Sequence, residues 1–316
     1  MNVEALMRSQ LKAWEQAANN YSALSGVRVK EFTLGNIRIK VQFNPARILS
    51  SAAKVDAKSI SERKCFLCKE NRPAVQEGIK YSGNNGDYEV LVNPFPIFPK
   101  HLTIPELRHT RQQIKGRYFD MLNLSRCLSD YVVFYNGPKC GASAPDHMHF
   151  QAGNKGMLPI QTDTASLHLD KIEFFQKGSS LSGAELYEIK DYIRGSLLIV
   201  SNSIEESQIL FEKIYELLHI NEGEWEPMMN LLSWYHDNKW YTVLFLRAKH
   251  RPSHYFAEGD SNLLLSPASV DLGGLFITPL EKDFKKISDR EILEICDEIM
   301  VPQKDIDELI LKLKQQ

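Results

Sequence analysis

Positions 147 to 151 read His-Met-His-Phe-Gln, directly after the small-residue and turn-forming run Gly141-Ala-Ser-Ala-Pro-Asp146. On a strand, His147, His149 and Gln151 share one face, because side chains alternate with a period of two. A loop of Gly141, Ala142 and Ser143 can turn its backbone N–H groups toward an anion. The segments before it read as strands over Tyr88–Asn93 and His101–Pro105, a helix over Arg111–Leu128 and a strand over Tyr131–Tyr135. The order strand, strand, helix, strand, loop, strand predicts an antiparallel α+β layout and excludes the regular alternation of a doubly wound sheet.

The motif's residue types suit phosphoryl chemistry. A neutral imidazole is a nucleophile toward phosphorus and later a leaving group, which splits one difficult transfer into two easier ones. Gln151 can donate a hydrogen bond to a phosphate oxygen but supplies no proton. That favours nucleotidyl transfer over prompt hydrolysis. An isolated His-x-His is as readily a structural pair; the joined Gly-Ala-Ser and Pro-x-His-x-His-x-Gln string is the more specific signal.

The pattern resembles the histidine triad superfamily, in its transferase branch where His-x-His-x-Gln replaces three alternating histidines. That branch holds galactose-1-phosphate uridylyltransferases, diadenosine tetraphosphate phosphorylases and GDP-galactose phosphorylases. The resemblance implies that His149 carries a nucleotidyl intermediate and that Gln151 holds the phosphoryl oxygens beside Gly141, Ala142 and Ser143. It implies a phosphate-supporting role for Asn136, and places Asn93 near the base and ribose. It also implies two histidine-triad-like antiparallel half-barrel domains. The substrate would be a nucleotide sugar or dinucleotide, with phosphate or a sugar phosphate as acceptor, and the assembly could be a homodimer.

Cys65-Phe-Leu-Cys68 has zinc-knuckle spacing, which lets two thiolates reach one ion. From the residues alone the pair could equally be reduced and metal-free, or redox-active. The uridylyltransferase resemblance implies completion by a histidine in a Pro-x-His segment and by the first histidine of the motif, here His101 and His147. The expectation is a structural zinc site of Cys65, Cys68, His101 and His147 that fixes the catalytic strand without joining the chemistry.

Before the motif, Val3–Tyr21 has helical spacing with Leu6, Leu11, Trp14 and Ala17 on one stripe, and residues 1–26 are expected to form a packing helix. Val27–Phe43 reads as a hairpin about Leu34-Gly-Asn36, leading to Asn44-Pro-Ala-Arg47 and then Ser50, Ser51 and Lys54. Arg47 is either a nucleotide contact, as a similar Asn-x-x-Arg segment in the GDP-galactose phosphorylases suggests, or a solvated surface residue. Phe95 and Phe98, among prolines, either stack on a base or pack. Lys155, in the loop after the motif, meets a phosphate or is simply exposed.

Residues 27–165 would be the catalytic domain and 166–316 a degenerate copy, with a hairpin over Glu226–Leu246 but no second His-x-His-x-Gln. Arg247-Ala-Lys-His-Arg-Pro252 resembles the turn around Phe98–His101, and its charges are either a phosphate site or a solvated cluster. Net charge of −2 gives no electrostatic case for broad nucleic-acid or membrane binding. Five cysteines, three scattered at 127, 140 and 296, do not form a disulfide framework, and the N-terminus lacks an apolar signal core. A cytoplasmic location is expected. Two rival readings stay open: a nucleotide hydrolase of the same fold, and a zinc-stabilised nucleotide-binding protein without turnover.

Overall fold

Runs such as Tyr131-Val-Val-Phe-Tyr-Asn136 are apolar at nearly every position, so as strands they need cover on both faces. In a computed structural model, which describes residues 1–34, 37–48, 55–173 and 182–315, they receive it. Gly35 and Asn36 of the expected hairpin turn, and Ser50, Ser51 and Lys54, lie outside the described residues.

Two sheets form. The smaller joins β1 (Arg28–Leu34), β2 (Ile37–Phe43) and β13 (Leu275–Thr278), with β1–β2 antiparallel and β2–β13 parallel. The larger contains β3 (Gly78–Ser82), β4 (Asp87–Val92), β5 (His101–Pro105), β6 (Tyr131–Asn136), β7 (His149–Asn154), β8 (His168–Lys171), β9 (Ala184–Lys190), β10 (Ser196–Ser201), β11 (Met229–His236) and β12 (Lys239–Leu246). Its order is β3-β4-β5-β7-β6-β11-β12-β10-β9-β8, antiparallel throughout. Counted inward from either edge, the same order repeats: first, second, third, fifth and fourth strand of each set of five. The sheet runs unbroken across the middle through β6 and β11.

This repeat corrects one equivalence. The hairpin β11–β12 stands where β6–β7 stands in the first set, so Arg247–Pro252 follows the counterpart of the motif strand, not that of the Pro-rich turn before His101.

On one face pack α1 (Val3–Ala13), α3 (Tyr118–Cys127), α4 (Ile204–Leu217) and α6 (Gln303–Gln315), against Tyr131, Val133, Tyr135, Phe150 and Ala152. On the other, Val132 and Phe134 meet the small sheet, Leu265, Val270 and α5 (Asp289–Ile299). Each fully buried Leu or Phe contributes about 1.5–3 kcal/mol. Among the described residues no helix is long and apolar enough to cross a membrane.

Three elements differ from expectation. The N-terminal helix breaks at Trp14 (φ −113°, ψ 94°) into α1 and α2 (Glu15–Ala23). Helix α3 starts at Tyr118 rather than Arg111, because the Ile114 N–H is drawn to the buried Glu226 carboxyl at 2.9 Å and Gln112 is fully buried elsewhere. Strand β7 starts at His149, so only His149 and Gln151 share its face, and His147 lies in the bend before it.

Candidate active site

The alternation that buries Phe150 and Ala152 on the helical face turns His149 and Gln151 to the other. There they line a cavity of about 640 Å³ together with Asn93, Asn136, Gly141, Ala142, Ser143 and Arg47. His147, in the bend before the strand, does not line this cavity.

His149 is 3% exposed, and burial pushes its imidazole down to about 4. Its Nδ1 lies 2.8 Å from the His147 carbonyl, which can only accept, so Nδ1 carries the proton. Nε2 is then a lone pair left to the cavity. The backbone of His149 is gripped by Gln112, whose Oε1 accepts from its N–H at 2.8 Å and whose Nε2 donates to its carbonyl at 3.0 Å and to that of Asn136 at 2.9 Å. Gln112 looks like a surface residue in the run Arg-Gln-Gln, and only tertiary pairing exposes its role.

Gln151 is oriented by His101. The Ile97 N–H donates to His101 Nδ1 at 3.3 Å, so the His101 proton sits on Nε2, 3.1 Å from Gln151 Oε1. Asn93 Nδ2 donates to the same oxygen at 3.4 Å and to Thr103 at 2.9 Å. With Oε1 held by two donors, the Gln151 NH₂ group is left for the cavity. Asn93 therefore positions Gln151 in addition to lining the cavity.

This use of His101 removes it from the metal set. Its ring is fully buried between Phe98 and Phe134, with centroids 5.6 and 5.9 Å away, and both nitrogens are engaged. The physical reason is strand register. Pro105, not His101, lies opposite His149, and His101 lies opposite Gly153, roughly 13 Å along the strand. A partner for His147 must come from residues beyond Pro105, and His109 supplies it.

Cys65, Cys68, His109 and His147 bring four ligand atoms within 4.8 Å of one another. Cys65 Sγ lies 3.3 Å from His147 Nδ1, and Cys68 Sγ lies 3.1 Å from His109 Nδ1 and 3.5 Å from His147 Nδ1. His147 Nε2 lies 2.7 Å from the Glu106 carbonyl, so its proton is there and Nδ1 is free to ligate. Tetrahedral zinc–sulfur and zinc–nitrogen bonds imply ligand separations of about 3.5–3.8 Å, which this Cys₂His₂ set approaches. Without a cation, burial and the neighbouring Cys65 push the Cys68 thiol up to about 11.

Elements of the second half complete the cavity: His250, Arg251, Ser266, Ala268 and Asp271 line it. Asn136 Oδ1 accepts from Asn230 Nδ2 and from the Ser269 N–H, both at 2.9 Å, leaving its own NH₂ toward the cavity. Arg247 is 3% exposed and spends its guanidinium on Asn230 Oδ1 and on the carbonyls of Pro267, Lys249 and His250. It braces the loop and does not line the cavity. Lys249 pairs with Glu298 at 3.1 Å, and Lys155 donates to the Tyr235 carbonyl and does not line the cavity. Phe98 is core, whereas Phe95 lines the cavity and its carbonyl accepts from Arg47 Nη1 at 2.7 Å. Burial pulls Arg47 down to about 10 and pushes Asp271 up to about 6.

Gly141 has φ +92°, and a Cβ there would sit 2.6 Å from that of Ala268. Gly141→Ala is expected to cost about 1–3 kcal/mol in thermal unfolding and to lower activity more than stability, since the loop amides would shift.

Acid stability gives a further expectation. Burial pulls His101 down to about 3 and His250 to about 4, below the ordinary 6.5. The unfolded chain therefore takes up protons first as pH falls, so their contribution is full above about 6.5 and is lost as pH falls from there to about 4 for His250 and about 3 for His101. Melting temperature should fall over that window, and less so in His250→Asn.

A family model described as a domain of unknown function, DUF4922, matches residues 6–154. No curated protein matches the chain. Among solved structures, yeast Ap4A phosphorylase Apa2 in complex with AMP matches with a TM-score of 0.55 at 16% identity, over 93% of this chain and 97% of that one. Apa2 in complex with Ap4A matches with 0.55 at 14%, over 92% and 97%. The chain has the Ap4A phosphorylase fold. A further Apa2 structure agrees, with 0.53 at 14% over 91% and 94%. In this phosphorylase fold the DUF4922 match begins within α1 and ends at Asn154, the last residue of β7.

Proposed function

We propose that the chain is a nucleotidyltransferase of the phosphorylase type, acting on a dinucleoside polyphosphate through a nucleotidyl–His149 intermediate. The carrying observation is the state of His149: Nδ1–H tied to a carbonyl and Nε2 presented to a cavity beside Gln151, Asn136 and the Gly141–Ser143 loop. Nε2 attacks the α-phosphorus, the bond from that phosphorus to the bridging oxygen breaks, and the remaining polyphosphate leaves. The Nδ1–H bond to the His147 carbonyl supports the cationic imidazole that forms. Gln151 and Asn136 donate to the phosphoryl oxygens as charge builds. Inorganic phosphate then attacks the same phosphorus, the P–N bond breaks, and His149 returns neutral.

The dinucleotide donor is favoured over a nucleotide sugar by the Apa2 likeness, since those structures hold AMP and Ap4A. Arg47 and Arg251 on the cavity wall suit a polyanion, whereas Arg63 and Arg72 there are already paired with Asp146 and Glu89. We assign zinc to Cys65, Cys68, His109 and His147; bound there it would supply a structural crosslink. We read the two sets of five strands as an active and a degenerate copy, divided near residue 165.

Gln151 has no proton to give a leaving group or take from water, which disfavours hydrolysis. The test is consumption of diadenosine tetraphosphate with and without inorganic phosphate, followed by chromatography. Phosphate-dependent formation of ATP and ADP is expected; steady phosphate-independent release of AMP would establish the hydrolase reading instead.

A further inference from the structure

Adjacent strands normally keep their ladder until one of them ends. Strands β6 and β7 are paired from Tyr131 opposite Asn154 to Phe134 opposite Gln151, a register that would next set Asn136 opposite His149. Instead the two strands diverge: Asn136 stays paired with Asn230 of β11, and His149 with Pro105 of β5. The sheet is thus split between the proposed nucleophile and the amide proposed to support the phosphate. The side chain of Gln112 sits in the split, fully buried, and replaces the ladder bonds by accepting from the His149 N–H and donating to the carbonyls of His149 and Asn136. The width of the split therefore depends on where Gln112 is held.

That is decided largely by the second half of the chain. Residues 110–114 form neither helix nor strand, so their backbone groups need partners from elsewhere. The Gln112 N–H finds the Pro145 carbonyl at 3.0 Å. Further ties run to two sequence neighbours, Trp225 and Glu226. Trp225 Nε1 donates to the Gln112 carbonyl at 2.7 Å, Gln113 Nε2 donates to the Trp225 carbonyl at 3.2 Å, and the Ile114 N–H donates to Glu226 Oε2 at 2.9 Å. The other Glu226 oxygen accepts from Tyr135 Oη, on the β6 side of the split. Glu226 is 3% exposed, and burial pushes its carboxyl up to about 8. An acid buried in this way is unfavourable unless its donors are in place, so Glu226 ties Ile114 and Tyr135 to each other. Neither Trp225 nor Glu226 lines the cavity.

We propose that Trp225 and Glu226 are positioning residues for nucleotidyl transfer, which hold the Gln112 amide in the split and thereby set His149 against a phosphate bound at Asn136. For its consequence the proposal rests on the nucleotidyl-transfer reading; it gives the second half, which lacks a His-x-His-x-Gln motif, a part in the chemistry of the first.

The test compares the parent with Glu226→Leu, Glu226→Gln and Trp225→Phe by three readouts: the single-turnover rate of adduct formation on His149 from diadenosine tetraphosphate, AMP affinity by calorimetry, and amide hydrogen exchange by NMR. Glu226→Leu should slow adduct formation about tenfold or more while AMP affinity stays within about threefold, because a misplaced nucleophile costs rate before it costs binding. Glu226→Gln keeps an acceptor for the Ile114 N–H and should recover the rate to within about threefold of the parent. Trp225→Phe removes the N–H given to the Gln112 carbonyl and should slow adduct formation about threefold. In Glu226→Leu and Trp225→Phe the His149 amide should exchange about tenfold faster, while the closed ladder from Tyr131 to Phe134 changes little. Should Glu226→Leu not fold, Trp225→Phe carries the test alone. Parent-like adduct rates and His149 exchange in the folded variants overturn the positioning role. So does exchange that rises equally along β6 with rate and affinity falling together, which is the mark of a merely structural pair. A parent that forms no adduct sinks the transfer reading, and exchange at His149 then decides the positioning role without it.

Discussion

His149→Ala is expected to lower turnover of a dinucleoside polyphosphate by about 10⁴-fold or more, because a nucleophile removed takes its whole covalent route with it. The loss should fall on kcat. AMP affinity should change little, since Gln151, Asn136 and the loop at Gly141, which line the same cavity, are left in place. Stability should stay within about 2 kcal/mol of the parent, because the substitution removes one side-chain hydrogen bond, from Nδ1 to the His147 carbonyl. Stopped-flow turnover, AMP titration and thermal unfolding on one preparation separate these effects. A variant that turns over within tenfold of the parent would show that His149 is not the nucleophile. Gln151→Glu provides a companion: a carboxylate where the amide NH₂ faces the phosphoryl oxygens repels them, so it should be more damaging than Gln151→Ala.

Loss of a metal from the Cys₂His₂ cluster is expected to have the second large effect. Three separate segments meet at Cys65–Cys68, His109 and His147, and His147 is two residues from the proposed nucleophile. One bound ion per chain is expected by mass spectrometry of acid-released metal. Chelation or Cys68→Ser should remove it and lower the melting temperature by roughly 10 °C, the scale of several kcal/mol in a chain of this size. His109→Ala should lose the ion. His101→Phe should keep it and instead lower kcat about 10-fold or more, since the Gln151 amide loses the donor that orients it. The opposite pattern, metal lost in His101→Phe and kept in His109→Ala, would restore the ligand set expected from sequence.

That contrast marks how far the chain could be read without its structure. The antiparallel α+β layout was legible because Tyr131–Asn136, Tyr88–Val92 and Lys239–Leu246 carry strong apolar runs bounded by turns. That His149, Gln151 and the Gly141 loop line one cavity was legible because their geometry is local: a period of two and a small-residue turn. Ligand completion was not, because it depends on which end of β5 meets His147. Antiparallel register decides that, and register is a tertiary property. Gln112 and Asn230 carry no periodic signal and act through backbone groups distant in sequence. Arg247 illustrates the same limit, since a basic cluster reads identically whether its guanidinium meets solvent, phosphate or four protein oxygens. Trp14 fits a helical stripe by spacing alone, while in the fold the helix breaks there and α2 is tied to the Pro94 and His101 carbonyls.

The central claim is a covalent nucleotidyl group on the imidazole of His149. The most direct measurement is intact-protein mass after brief exposure to diadenosine tetraphosphate without phosphate, followed by peptide mapping under mildly alkaline conditions that preserve a P–N bond. An adenylyl-sized gain mapped to the peptide bearing His149, absent from His149→Ala and discharged as ADP when phosphate is added, is the predicted result. Phosphate-dependent cleavage that proceeds with no adduct on the parent, or with an adduct that survives in His149→Ala, would contradict it.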